Sequence, residues 1–194
     1  SRTTTAGIME LKNGERYFVK RENNKGMVFT LKYLFRHSRV FRAAASARRL
    51  EALGIPTPKV IAVGSRRRMG KLIGGYLITE ALDNVLKNEA MCQKLLTDME
   101  FYQEFLSAIC KYMGELHNHG LAHGDLKLSN IFCQETVYGN DFGLWDLDGT
   151  RDMLPVLDGC CQEVARIISS LIRVAQDIHG DMPDSVELAG DFCG

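Results

Sequence analysis

A change of hydrophobic period near Met99 divides the chain. Before it, short apolar stretches alternate with turn residues. Gly7-Ile8-Met9-Glu10-Leu11 and Arg16-Tyr17-Phe18-Val19-Lys20 flank Asn13-Gly14, and Asn-Gly between alternating runs is a strong signal for a β-hairpin. Lys59 to Val63 and Tyr76 to Thr79 read as two further strands about a polar turn from Ser65 to Lys71. Between the two strand pairs, Ala43-Ala44-Ala45 sits in a basic stretch closed by Gly54 and Pro56, which predicts a helix over 38–53. After Met99 the spacing becomes helical: Phe101, Phe105, Ile109, Tyr112 and Leu116 recur every three or four residues up to Gly120. Two short strands follow, Asn130 to Cys133 and Phe142 to Asp146, joined by a turn carrying Gly139-Asn140. A last amphipathic helix is marked by Val164, Ile167, Ile168, Leu171, Ile172 and Ala175. Strands first and helices second predict an α+β chain of two lobes, 1–82 and 83–194, with the boundary near Ala81–Asp83.

Charge follows the same division. Residues 1–100 carry 19 Lys/Arg against 9 Asp/Glu, and residues 101–194 carry 5 against 15, so the zero net charge hides a basic half and an acidic half. A basic face of this kind suits an anionic partner. No apolar run approaches the ~20 residues of a membrane span, and no aromatic strip accompanies the basic residues as nucleic-acid binding would require. Cys92, Cys110, Cys133, Cys160, Cys161 and Cys193 contain no C-x-x-C pair. They read as free thiols in a reducing compartment, which points to the cytoplasm. Ser1-Arg2-Thr3-Thr4-Thr5 lacks the apolar core of a signal peptide, and the first lobe is expected to be incomplete.

The chemistry concentrates in His123-Gly124-Asp125-Leu126-Lys127-Leu128-Ser129-Asn130, between the end of the long helix and a short strand. Sixteen positions later Asp146 ends the next strand, in Trp145-Asp146-Leu147-Asp148-Gly149. Two acids and an amide on neighbouring loops make an oxygen-rich site of the kind hard Mg²⁺ prefers. Lys20, at the end of Tyr-Phe-Val-Lys, supplies a fixed cation for nucleotide phosphates.

H-G-D-L-x-x-x-N followed by a strand running into W-D-L-D resembles the catalytic and metal loops of protein-kinase-like phosphotransferases. More narrowly the chain resembles the lipopolysaccharide kinase (Kdo/WaaP) family over about residues 3–180. Gly54-Ile55-Pro56-Thr57-Pro58, Leu77-Ile78-Thr79-Glu80 and Asp146-Leu147-Asp148 in place of D-F-G carry that resemblance. It implies a bilobal protein-kinase-like fold, with a small strand-rich first lobe and a short, mainly helical second lobe. It also implies ATP and Mg²⁺ as cofactors. By the resemblance, Asp125 orients the acceptor hydroxyl and takes its proton, and Lys127 steadies the transferred phosphate. Asn130 and Asp146 hold the metal, Lys20 and Asn130 contact nucleotide phosphates, and Glu80 lies at the nucleotide-binding hinge. His123 is expected to be structural, His117 and His119 to be helix-end residues, and Asp148 to be a second metal contact or a capping acid.

Three departures from the kinase pattern stand out. No glycine-rich phosphate loop is present, and the hydroxyls of Ser1–Thr5 are the expected substitute. The helix glutamate that usually pairs with the strand lysine would align with Ala43–Ala45, and Glu51 lies too near the helix end. The segment after Asp148 has only about 46 residues, which favours a sugar or glycolipid acceptor over a protein. The implied function is phosphorylation of a lipopolysaccharide-core sugar, heptose or Kdo, at the cytoplasmic side of the inner membrane. Arg36, Arg39, Arg42, Arg48, Arg49 and Arg66-Arg67-Arg68 would face lipid head groups in a peripheral contact. The alternatives are a small-molecule kinase similar to the aminoglycoside and choline phosphotransferases, and an inactive binding module on the same fold.

Overall fold

In the computed structural model, residues 4–23, 38–69, 71–152 and 156–179 are described. Arg36, Ser1–Thr3 and Cys193, to which the sequence reading gave roles, lie outside them. The chain divides into two compact units, Ser1–Leu82 with Asp146–Asp148 and Asp83–Trp145 with Gly149–Gly194.

The first unit is an antiparallel sheet carrying one helix. Strands β1 (Thr4–Glu10) and β2 (Arg16–Asn23) form the expected hairpin. Gly14 takes φ 84° at its turn, and the Asn13 side chain accepts from the Glu15 N–H at 3.1 Å. Helix α1 (Arg39–Ala52) follows, then β3 (Val60–Arg68) and β4 (Lys71–Glu80), in sheet order β1-β2-β4-β3. The polar turn expected from Ser65 to Lys71 is mostly strand. Arg66, Arg67 and Arg68 continue β3, and the chain reverses at Met69, which has φ 50°. β3 is an edge strand, where arginines reach solvent without interrupting the ladder. Helix α1 lies on the sheet through small side chains: Val40, Ala43 and Ala44 pack with Leu77, flanked by Phe41, Val60 and Val63.

The second unit is mainly helical. α2 (Asn88–Thr97), not expected from the sequence, buries only Met91, Cys92 and Leu95, a stripe too short to stand out. α3 (Met99–Asn118) realises the long periodic helix. Asp98 caps it by accepting from the Phe101 N–H at 3.1 Å, and Phe101, Phe105, Ile109, Met113 and Leu116 are buried. Tyr112 is half-buried, and its hydroxyl donates to the Phe142 carbonyl at 3.0 Å. The rings of Phe101 and Phe105 meet Phe142 edge-on, with centroids 5.4 and 5.7 Å apart.

β5 (Leu121–Ala122) pairs with β8 (Arg151–Asp152), and β6 (Ile131–Thr136) with β7 (Gly139–Leu144). The β6–β7 turn is Val137-Tyr138 rather than Gly139-Asn140, which open β7. The Thr136 hydroxyl closes it, donating to the Gly139 carbonyl and accepting from the Tyr138 N–H. α4 (Val156–His179) ends the described chain. Among its described side chains the buried positions are Glu163, Ile167, Leu171 and Ala175, one every four residues, while Val164, Ile168 and Ile172 are only half-buried. Among the described residues no helix is long and apolar enough to cross a membrane.

Gly75 on β4 is a tight point in the first unit. A Cβ there would stand 2.6 Å from Val40 Cγ2 and 3.3 Å from Glu22 Oε2. Gly75→Ala should therefore cost about 1–3 kcal/mol in urea unfolding through overpacking. Gly64→Ala on β3, where a Cβ would meet nothing within 4 Å, should stay within about 0.5 kcal/mol of the parent.

Candidate active site

In the second unit, the loop after β5 is held from several sides. His123 is fully buried, and its Nε2 donates to the Trp145 carbonyl at 3.1 Å. A carbonyl can only accept, so Nε2 carries the hydrogen. Nδ1 faces the Asp125 N–H at 3.4 Å. That is the structural role expected of His123. Gly124 takes φ 81°, and a Cβ on it would overlap the Gly149 carbonyl oxygen. Only glycine allows both the left-handed backbone and the close approach.

Both peptide groups of Gly124 are gripped by one turn of α4. Its N–H donates to Glu163 Oε1 at 2.6 Å, and its carbonyl accepts from Arg166 Nη1. Glu163 is 1% exposed, and its Oε2 also accepts from His117 Nε2 at 3.2 Å. Burial pushes the Glu163 carboxyl up. The hydrogen bonds from His117 and the Gly124 N–H, with His123 nearby, outweigh that and bring it below the usual carboxylate value. Sequence reasoning passed over Glu163. The available signal was an acid four residues before Ile167 on an otherwise apolar stripe. His117, expected only as a helix-end residue, is Glu163's partner.

Three of the expected site residues meet in this loop. Asp125 Oδ2 accepts from Lys127 Nζ at 2.8 Å and from Asn130 Nδ2 at 3.1 Å. Asn130 is buried, and the same amide nitrogen donates to the Asp125 carbonyl at 2.8 Å. A 3₁₀ turn, Leu128–Asn130, sets Asn130, with the Ser170 hydroxyl accepting from the Leu128 N–H. The Trp145 N–H and indole Nε1 donate to the carbonyls of Asn130 and Ser129. Burial raises the Asp125 carboxyl, but Lys127 and Asn130 hold it below the ordinary aspartate value. Asp125 is thus an ionised carboxylate with one oxygen engaged.

The first unit holds the other group. Lys20 Nζ bonds Asp146 Oδ1 at 2.5 Å and Asp148 Oδ2 at 3.1 Å. Burial would lower the Lys20 ammonium, yet the two carboxylates leave it raised. Asp146 adopts φ 57°, a left-handed backbone that Asp and Asn tolerate better than most residues. Asp148 Oδ1 is buried without a hydrogen-bond partner. All the donors are oxygens, and one buried oxygen is unsatisfied. That donor set fits a hard divalent cation. Among the described residues no three His, Cys, Asp or Glu side chains form a cage by themselves. Glu80, at the end of β4, accepts from the Lys59 N–H at 2.8 Å, which ties the strand end to the start of β3.

The profile of the lipopolysaccharide kinase (Kdo/WaaP) family matches residues 1–181. KEOPS complex subunit Bud32 of Pyrococcus abyssi is 31% identical over 116 residues, 59% of this chain and 48% of that protein. EKC/KEOPS complex subunit BUD32 of Encephalitozoon cuniculi is 28% identical over 132 residues, 68% of this chain and 60% of that one. The chain therefore spans about half to three-fifths of the length of these curated relatives. Among solved structures, WaaP in complex with acyl carrier protein superimposes with a TM-score of 0.67 at 17% identity, covering 98% of this chain and 74% of that one. At that identity the likeness speaks for fold alone. The fold is α+β and protein-kinase-like, as the motifs implied.

The Glu163 grip has a pH signature. Its carboxyl lies below 4.5 in the folded state, so its contribution is complete above about pH 4.5 and fades as the pH falls through the folded value. Glu163→Gln should lower stability at pH 7 by about 1.5–3 kcal/mol, the worth of hydrogen bonds to a charged group. In thermal unfolding at stepped pH, the gap between parent and variant should narrow only below about pH 4.5.

Proposed function

The chain belongs to the lipopolysaccharide kinase (Kdo/WaaP) family, and from that premise we propose that it is an ATP-dependent phosphotransferase acting on a sugar hydroxyl of lipopolysaccharide core, a heptose or Kdo. The observation that carries this reading is the Asp125–Lys127–Asn130 cluster, an ionised carboxylate with its flanking cation and amide on one short loop.

In the proposed reaction the acceptor oxygen attacks the γ-phosphorus of ATP. The bond from phosphorus to the β–γ bridging oxygen breaks, and ADP departs. Asp125 aligns the acceptor hydroxyl and receives its proton as the new O–P bond forms. A carboxylate held below the ordinary value is a weak base. It suits a loose transition state in which positioning matters more than early deprotonation. Lys127 would offset charge on the transferred phosphoryl, and Lys20 charge on the nucleotide phosphates. Asn130 and Asp146 would hold Mg²⁺, which would supply charge neutralisation for those phosphates. Glu80 marks the strand end where the nucleotide base would lie.

A sugar on a glycolipid is presented at a membrane surface, and the β3–β4 hairpin suits such a surface. Arg66, Arg67 and Arg68 are exposed on it, and Met69 at its tip is 94% exposed. A cationic edge ending in an apolar tip fits anionic head groups at the cytoplasmic face of the inner membrane.

Calorimetry with ATP and Mg²⁺, followed by transfer to core oligosaccharide read by mass spectrometry, tests the reading. Asp125→Asn should keep nucleotide binding and lose about 10²–10⁴-fold in turnover, whereas Asp146→Asn should lose the Mg²⁺-dependent part of binding. Nucleotide binding by the parent with no transfer to any core sugar would overturn the acceptor assignment, and transfer to choline or an aminoglycoside would then separate a small-molecule kinase from a binding module. Neutralising Arg66, Arg67 and Arg68 together should weaken binding to anionic vesicles by about 3 kcal/mol, at about 1 kcal/mol for each charge. Unchanged vesicle binding would remove the membrane part of the proposal.

A further inference from the structure

Glu22 is a buried acid with no assigned task. It lies on β2 two residues beyond Lys20, so both side chains leave the same face of the sheet. Helix α1 covers that face: Lys20 pairs with Leu77, which packs on Val40, Ala43 and Ala44, and Glu22 pairs with Gly75, which abuts Val40. Glu22 is 4% exposed, and neither of its carboxylate oxygens has a hydrogen-bond partner. Ser38 Oγ, close by at the start of α1, is equally buried and unpartnered. The missing side chain of Gly75 leaves the room that the carboxylate occupies. Burial raises the Glu22 carboxyl. The charges of Arg39 and Arg42 and the Arg39 N–H oppose this, while the charge of Asp148 adds to the rise.

An unsatisfied buried carboxylate is costly. A place for it is expected where it has work in another state of the protein. Lys20 is such a partner. Two strand residues span about 6.6 Å, within the combined reach of a lysine and a glutamate side chain. Lys20 Nζ is held here by Asp146 and Asp148. When Asp146 is engaged with nucleotide and metal, the ammonium needs another carboxylate. The helix position from which kinases usually supply one is alanine, Ala43 to Ala45.

Resting on the phosphotransferase reading, we propose that Glu22 is the positioning residue for Lys20, taking up its ammonium from within the same strand in the nucleotide-bound state. The carboxylate that kinases mount on the helix is here mounted on the lysine's own strand. The alternative task, a purely structural acid at the start of α1, makes different predictions.

The test is ATP affinity by calorimetry with Mg²⁺ on four chains: the parent, Glu22→Gln, Lys20→Met and the double variant. Glu22→Gln is close to isosteric and removes a desolvated charge, so it should fold. It should weaken ATP binding about five- to tenfold, and the double variant should bind no more weakly than Lys20→Met alone. An unchanged affinity in Glu22→Gln overturns the proposal. So does a Glu22→Gln loss of the same size in the Lys20→Met background, because a structural acid would act regardless of Lys20. If Glu22→Gln does not fold, Glu22→Asp replaces it with the same two criteria.

A second measurement needs no nucleotide. With Asp146 and Asp148 both changed to Asn, the effects of Lys20→Met and Glu22→Gln on the urea midpoint should become non-additive, whereas in the parent they should add. Additivity in both backgrounds overturns the proposal. A parent chain that binds no ATP at all refutes the phosphotransferase reading itself, an outcome distinct from any pattern among the variants.

Discussion

One turn of helix α4 grips both backbone polar groups of a single residue: Glu163 takes the Gly124 N–H and Arg166 the Gly124 carbonyl. Around that grip the loop from His123 to Asn130 has little freedom. Gly124 presses on the Gly149 backbone, His123 reaches the Trp145 carbonyl, and Asn130 returns to Asp125. Each contact is modest alone, about 1 kcal/mol for a typical hydrogen bond. Together they fix the backbone that carries Asp125, the geometry on which the proposed positioning role rests.

The two charged groups solve similar problems differently. Asp125 is stabilised by an adjacent lysine and amide, so its charge is satisfied without a ligand. Asp146 and Asp148 share Lys20, yet Asp148 keeps a buried oxygen unpartnered. The first arrangement is complete in the chain as it stands. The second leaves one oxygen open, with Lys20 as the internal counter-ion. Burial makes neighbouring like charges costly unless an opposite one is within reach, and here a single ammonium serves two acids.

Much of the fold could be read from the sequence because it rests on local signals. Asn13-Gly14 specifies its hairpin through backbone conformation alone, and the Phe101-to-Leu116 row specifies α3 through period alone. Gly139-Asn140 misled because the turn beside it is closed by the Thr136 hydroxyl, a side-chain contact that carries no composition signal. The arginines of β3 misled because polarity was taken for a turn, whereas an edge strand admits charge freely. In the site, the motif residues were visible as a string. Glu163 and Glu22 were not, because each acts through burial. Their environments depend on Gly124 in one case and Gly75 in the other, distant positions that no local pattern connects.

The spacing of Lys20 and Glu22 has a consequence for control. In protein kinases the lysine and its acid sit on separate elements, so swinging the helix breaks the pair and switches the enzyme off. Two residues of one strand cannot be drawn apart in that way. Their separation is set by backbone geometry, and the ladder to β4 keeps the strand extended on that side. Such an arrangement, as proposed here, gives up a switch for constancy.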